Sequence, residues 1–201
     1  MTIAIQSITT FEKGSILDEV AFIVCSGFKS KFTNALFSET EVYDVVYAFC
    51  YYLYTEKGEN LLIAISDAKV CGCLFLTNKN DSHRHFYQSV SRFLPFSKRL
   101  KLLFLLSLLS HKPTTDERYI DFITVSSDFR GQGIGKKLIS YCKESFHTER
   151  LTLYVAKNNT HAYQLYQNLG FQVVEKENSI FMGVLTGIKE WYKMEWIKWS
   201  G

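Results

Sequence analysis

Residues 2–11 alternate apolar and polar side chains, with Ile3, Ile5 and Ile8 prominent, and predict an opening strand. Ile16, Val20, Ile23 and Val24 then recur at helical spacing, with Gly27 as the expected stop. A second helix is expected over residues 39–53. It starts acidic, which suits the positive end of a helix dipole, and becomes aromatic at Tyr43, Tyr47 and Tyr51. Residues 57–60 read as a turn. Two apolar runs, 61–66 and 70–77, are separated only by Asp67, Ala68 and Lys69 and read as a hairpin. A polar turn over 78–82 leads into residues 83–111, which read as two helices broken near Pro95. That is too long for a hairpin connection of about 2–5 residues. It predicts a helical insertion between the third and fourth strands.

Downstream the pattern predicts a strand at 119–126, a glycine-rich turn at 130–135 and a helix at 136–147 with Leu138, Ile139, Cys142 and Phe146 on one face. A strand at 151–155 follows. Next comes a helix at 161–169 with Ala162, Leu165, Tyr166 and Leu169 on its stripe, ended by Gly170. Strands are expected at 171–175 and 192–199, with Trp191, Trp196 and Trp199 on or beside the last. No repeat, low-complexity tract or linker interrupts the chain. The expectation is one α+β domain over residues 1–201. Its sheet should be largely antiparallel, because the early strands join by a hairpin.

Composition narrows the function classes. With 15% aromatic residues and 2 prolines among 201 residues, the chain is globular and long enough for a core without disulfides or metals. A net charge of +3 is too small to predict a nucleic-acid partner. Five scattered cysteines, with no secretory leader over residues 1–11, read as free thiols of a cytoplasmic protein. The most apolar run, 100–109, is broken by Lys101 and Ser107 and falls short of the roughly 20 residues of a membrane span. It reads as a buried or amphipathic helix with no stable membrane association. The basic stretch from Arg92 to Lys101 is expected to pack as part of the insertion, with contact to a membrane surface as the less favoured alternative. Cys71-Gly72-Cys73 and His83-Arg84-His85 lack the usual spacing of a zinc site, and no metal is expected. Period-2 alternation would put both thiols on one face.

The sharpest local signal is Val125-Ser126-Ser127-Asp128-Phe129-Arg130-Gly131-Gln132-Gly133-Ile134-Gly135-Lys136. A strand ends, glycines alternate and a helix begins. Glycines let a ligand approach the backbone, and helix-start amides attract anions. Arg130 and Lys136 add positive charge, so pyrophosphate is the natural ligand; a bare strand-to-helix turn is the bland alternative. The P-loop pattern is absent, and Lys136 stands where the dinucleotide pattern would need its third glycine.

From Tyr119 to Phe171 the chain resembles the core of the GNAT family of N-acetyltransferases. The family's phosphate turn, [R/Q]-x-x-G-x-[G/A], is met by Arg130, Gly133 and Gly135. Its downstream pattern, N-x-x-A-x-x-L-Y-x-x-x-G-F, is met by Asn159, Ala162, Leu165, Tyr166, Gly170 and Phe171. The resemblance covers the C-terminal two-fifths of the chain. It implies a GNAT-like mixed sheet flanked by helices, with acetyl-CoA as cosubstrate. The activity it implies is acetyl transfer to a primary amine by direct attack on the thioester. By the same resemblance the strand at 119–126 splays from that at 151–155, and the backbone of Ile123 and Val125 binds pantetheine in the gap. Arg130 and the amides of Gly131, Gln132, Gly133, Ile134, Gly135 and Lys136 hold the pyrophosphate. Asn159, Ala162 and Tyr166 complete the cofactor contacts, and Tyr166 is the acid for the departing thiolate.

The base is less determined. Some family members carry a Glu where Tyr154 stands. Asp121 is the candidate here, since alternation places Tyr119, Asp121, Ile123 and Val125 on one face. An ion pair of Asp121 with Arg118 or Lys157, or a water chain as base, stays open. Glu39, Glu41 and Asp44 either steer a cationic amine or simply begin a solvated helix. The acceptor is a small-molecule or peptide amine, and the protein a monomer or homodimer. The alternative function is a non-catalytic CoA-binding regulatory or interaction module.

Overall fold

Seven strands form one mixed sheet in the computed structural model, which describes residues 2–33, 36–81, 85–109, 111–145 and 150–198. In chain order they are β1 (Ala4–Ser7), β2 (Leu61–Ser66), β3 (Lys69–Asn78), β4 (Glu117–Val125), β5 (Arg150–Ala156), β6 (Gln172–Asn178) and β7 (Glu190–Ile197). Their spatial order is β1-β2-β3-β4-β5-β7-β6. Every neighbouring pair is antiparallel except β4–β5, which is parallel. Helices α1 (Lys13–Thr33) and α2 (Glu39–Lys57) cover one face. Helices α5 (Ile134–Ser145) and α6 (Thr160–Asn168) cover the other. The expected insertion is present between β3 and β4 as α3 (Phe86–Val90) and α4 (Phe96–Leu109), on the α2 side. His83, Arg84, Phe146 and Trp199 lie outside the described residues.

Burial on both faces explains why β2 and β3 read as unbroken apolar runs. Leu17, Val20, Val45, Phe49, Ile63, Phe75 and Leu102 build one layer, and Leu74, Leu76, Leu138, Leu153, Tyr166 and Met194 the other. The β2–β3 hairpin is tighter than expected. Ser66 pairs with Lys69, and only Asp67 (φ 49°) and Ala68 (φ 61°) form the turn. Two left-handed residues match the strand twist.

Several boundaries move. β1 gives way at Ile8 to a 3-10 turn, with the Ser7 hydroxyl accepting from the Thr9 amide. Gly27 does not stop its helix; α1 continues to Thr33. The glycine serves close approach instead, because a Cβ there would lie 2.2 Å from Thr124 Oγ1 of β4. A helix α7 (Ile180–Thr186), absent from the sequence reading, joins β6 to β7 and touches α1.

Two bulges overturn the alternation readings. Ala64 pairs with Gly72 but Ile65 with Val70, so Cys71 is an extra residue in β3. Cys71 therefore packs in the α5 layer and Cys73 in the α1–α2 layer, on opposite faces. Phe75 pairs with Phe122 but Leu76 with Ile120, so Asp121 is the extra residue in β4. Ile123 and Val125 then pack in the α5 layer, whereas Tyr119 meets the rings of His111 and Tyr154. The four residues expected to share a face do not, because an extra residue inverts the period-2 pattern beyond it.

Candidate active site

Among the described residues, β4 and β5 pair only from Glu117↔Arg150 to Ile120↔Leu153. Beyond that point β4 bends at the Asp121 bulge and stays with β3 as far as Val125↔Gly72. The gap opens as a cleft of about 260 Å³ whose walls include Asp121, Ile123, Tyr154, Ala156, Asn159 and Tyr166. Gly27 and Phe28 of α1, with Ile188 and Trp191, also border it.

The hydrogen-bond phase of β4 decides what faces the gap. The Ser126 amide donates to the Cys71 carbonyl at 2.9 Å, directly opposite. Bonded and non-bonded pairs alternate along an antiparallel ladder. Thr124 and Phe122 therefore turn their backbone groups to β3, while those of Ile123 and Val125 point into the gap. The Val125 carbonyl accepts from Arg130 Nε at 3.4 Å, which agrees with that phase.

A 3-10 turn, Ser127–Phe129, leads from β4 to the glycine loop. Gly131 and Gly133 have φ of +76° and +77°, and nothing lies within 4 Å of where either Cβ would sit. The backbone there is bare and in a conformation that favours glycine. The first bond of α5 runs from the Lys137 amide to the Gly133 carbonyl, 3.0 Å. The amides of Ile134, Gly135 and Lys136 precede it and gather the positive end of the helix dipole. Gly135 serves packing, since a Cβ there would reach Leu165 of α6 at 3.4 Å. Gln132 Nε2 donates to the Asp128 carbonyl and steadies the loop.

Tyr166 is 6% exposed, and its ring packs near Phe171. Among the described residues its hydroxyl has no hydrogen-bond partner. Burial pushes its pKa up to about 12, so it stays a protonated donor at neutral pH. Asn159 Oδ1 caps α6 by accepting from the Ala162 amide at 3.3 Å. Ala162 lies in the α6 packing layer rather than in the cleft wall. Of the residues expected at the site, Asp121, Ile123, Asn159 and Tyr166 thus meet at the cleft. Val125 and the loop from Arg130 to Lys136 continue from its β4 side.

Asp121 is exposed at its bulge. Lys157, one ion-pair partner considered for it, is bound by Glu190 at 2.8 and 2.9 Å. The acidic start of α2 lies elsewhere. Glu39 pairs with Lys29 at 2.9 Å, and Glu41 accepts from the Ser38 amide at 3.0 Å. That backbone bond, with Lys98 nearby, holds Glu41 at about 2. For Glu39 and Glu41, the helix-start reading fits these contacts, and steering of an acceptor gains no support from them.

Sequence reasoning missed two features beside the cleft. Tyr154 donates to Glu177 Oε1 at 2.6 Å; burial, then the Glu177 carboxylate, pushes the Tyr154 pKa up. Glu117 has a fully buried carboxylate below the point where the strands part. It accepts from Thr152 Oγ1 at 2.6 Å and the Thr114 amide at 2.9 Å, and meets His111 Nε2 at 2.8 Å. Arg150 and Lys193 each approach it to 3.6 Å. Burial alone would raise its pKa, but these hydrogen bonds, with His111 alongside, outweigh it and bring it to about 2. Neither cluster belongs to a local motif, because each draws its members from separate strands.

A family model described as Acetyltransferase (GNAT) family matches residues 29–171. The 5-NmdU N-acetyltransferase of Pseudomonas phage PaMx11 is 36% identical over 83 residues, covering 41% of this chain and 58% of that protein. The spermine/spermidine N(1)-acetyltransferase of Bacillus subtilis (strain 168) is 36% identical over 58 residues, 27% of this chain and 38% of that one. The matches thus span less than two thirds of either relative. A crystal structure of an N-acetyltransferase from Staphylococcus aureus Mu50 superposes with a TM-score of 0.70 at 20% identity, covering 98% of this chain and 100% of the other. At that identity the likeness is one of fold.

Proposed function

The chain belongs to the acetyltransferase (GNAT) family, and from that membership we propose that it transfers an acetyl group from acetyl-CoA to a primary amine by direct attack on the thioester. One observation carries the proposal. The edge of β4 that has parted from β5 leads at one end to the glycine loop, and the buried Tyr166 lines the same cleft. These features suit an extended ligand with an anionic end and a reactive end. Acetyl-CoA supplies the activated acetyl group. Ile123 and Val125 offer backbone groups to the amides of its pantetheine arm. Arg130 and the amides from Gly131 to Lys136 take the diphosphate. Asn159 lines the arm's path, and the small side chain of Ala162 keeps the adjoining turn of α6 slim.

The acceptor is a small-molecule or peptide amine entering between Phe28 and Trp191. Its nitrogen bonds to the acetyl carbon and gives up a proton, for which Asp121 is the proposed base. A β4 amide near Val125 stabilises the oxyanion. The carbon–sulfur bond then breaks, and Tyr166 donates to the sulfur. The test is release of free CoA, followed with a thiol reagent across polyamines, amino acids and peptides. Acetyl-CoA binding by calorimetry without release for any amine would favour the CoA-binding module. No binding at all would overturn both readings.

A further inference from the structure

Six of the chain's 23 Lys and Arg fall between Asp81 and Asp116, and none of its 20 Asp and Glu do. This stretch holds α3 and α4. The inner face of α4, with Leu102 and Leu105 fully buried, packs as the sequence reading expected. Its outer face is not polar. Phe96, Leu100 and Phe104 follow at four-residue spacing and are 59%, 48% and 44% exposed. Tyr87 of α3 extends the surface, since the Arg99 guanidinium lies 4.7 Å over its ring and 5.7 Å over that of Phe96.

At about 100° per residue, Arg99 borders this stripe on one side and Lys101 on the other. Lys98 is paired with Glu41 of α2 at 3.3 Å, and Lys101 Nζ donates to the Leu36 carbonyl at 3.1 Å from an exposed position. An exposed apolar stripe flanked by Arg99 and Lys101, with no carboxylate on its own segment, suits a deformable, negatively charged surface better than a shaped protein pocket. We propose that α3 and α4 form a reversible contact with anionic bilayer surfaces. The apolar ridge enters the boundary between headgroups and acyl chains. The Arg and Lys side chains reach the phosphates from their aliphatic stems. Among the described residues no helix is long and apolar enough to cross a membrane, so the contact is peripheral.

The full chain should be floated with vesicles of phosphatidylcholine alone and of phosphatidylcholine mixed with phosphatidylserine. The bound fraction should be several-fold higher on the mixed vesicles and fall as salt rises. A combined Phe96→Ser, Leu100→Ser and Phe104→Ser variant should lose that binding, with acetyl-CoA affinity and circular dichroism unchanged. Arg99→Gln with Lys101→Gln provides a second variant that leaves the apolar stripe intact, and should lose roughly thirtyfold in lipid affinity. Equal binding to both vesicle types, no binding to either, or wild-type binding by both variants would overturn the proposal. Self-association that the serine variant abolishes, without lipid binding, would overturn it in favour of a second copy of the chain.

Discussion

Removing one oxygen tests the chemistry most cleanly. Tyr166→Phe keeps the ring against Phe171, so helix packing and acetyl-CoA affinity should hold within a few-fold. The loss should appear in kcat, at about 10²-fold or below, because a thiolate is already a fair leaving group near neutral pH. Single-turnover rates at saturating acetyl-CoA measure it, and an unchanged rate would return Tyr166 to core packing. Asp121→Asn should lower kcat by about 10²-fold or more, while cofactor affinity stays constant. An unchanged kcat would move the base elsewhere, with Tyr154 and its partner Glu177 to test next. At this scale the sequence was legible where a motif carried the residue, as at Asn159 and Tyr166. It was illegible where strand geometry decided. Asp121 and Cys71 each sit in a bulge that no residue type announces, and each bulge inverts the faces counted beyond it.

The glycine loop and α5 act as one anion-binding element. Gly133→Asp would strain a position at φ +77° and put a carboxylate beside the helix-start amides. Acetyl-CoA affinity should fall at least tenfold by calorimetry, about the effect of 1.4 kcal/mol, in a protein that still folds. Gly27→Val tests the crossing of α1 over β4. Its branched side chain would collide with Thr124, and urea unfolding should show a loss of about 1–3 kcal/mol. Element order and type were readable because periodicity is local. Gly27 was misread because a glycine demanded by a distant strand looks, in sequence, like one ending its own helix. Helix α7 went unread because its seven residues offer too few turns for a stripe to show.

Across the whole molecule, Glu117 clamps three strands below the cleft. Its folded-state pKa, about 2, lies below the ordinary 4.5. The stability it contributes is therefore complete above about pH 4.5 and is lost as pH falls toward 2. Glu117→Gln should cost about 3 kcal/mol at neutral pH, since Arg150 and Lys193 lose their buried counter-charge. Wild type and variant should converge in acid, as chemical denaturation over that range would show. The short β4–β5 pairing has a consequence of another kind. Among the described residues, four residue pairs are the only strand-to-strand rungs between the N-terminal four strands and the C-terminal three. The sheet therefore has a seam, and a ligand bridging it acts as a removable strand. Amide hydrogen exchange should record this residue by residue. Without ligand, Thr124 should exchange slowly and Ile123 and Val125 quickly. With acetyl-CoA bound, those two should slow, and the two halves of the sheet should unfold as one unit.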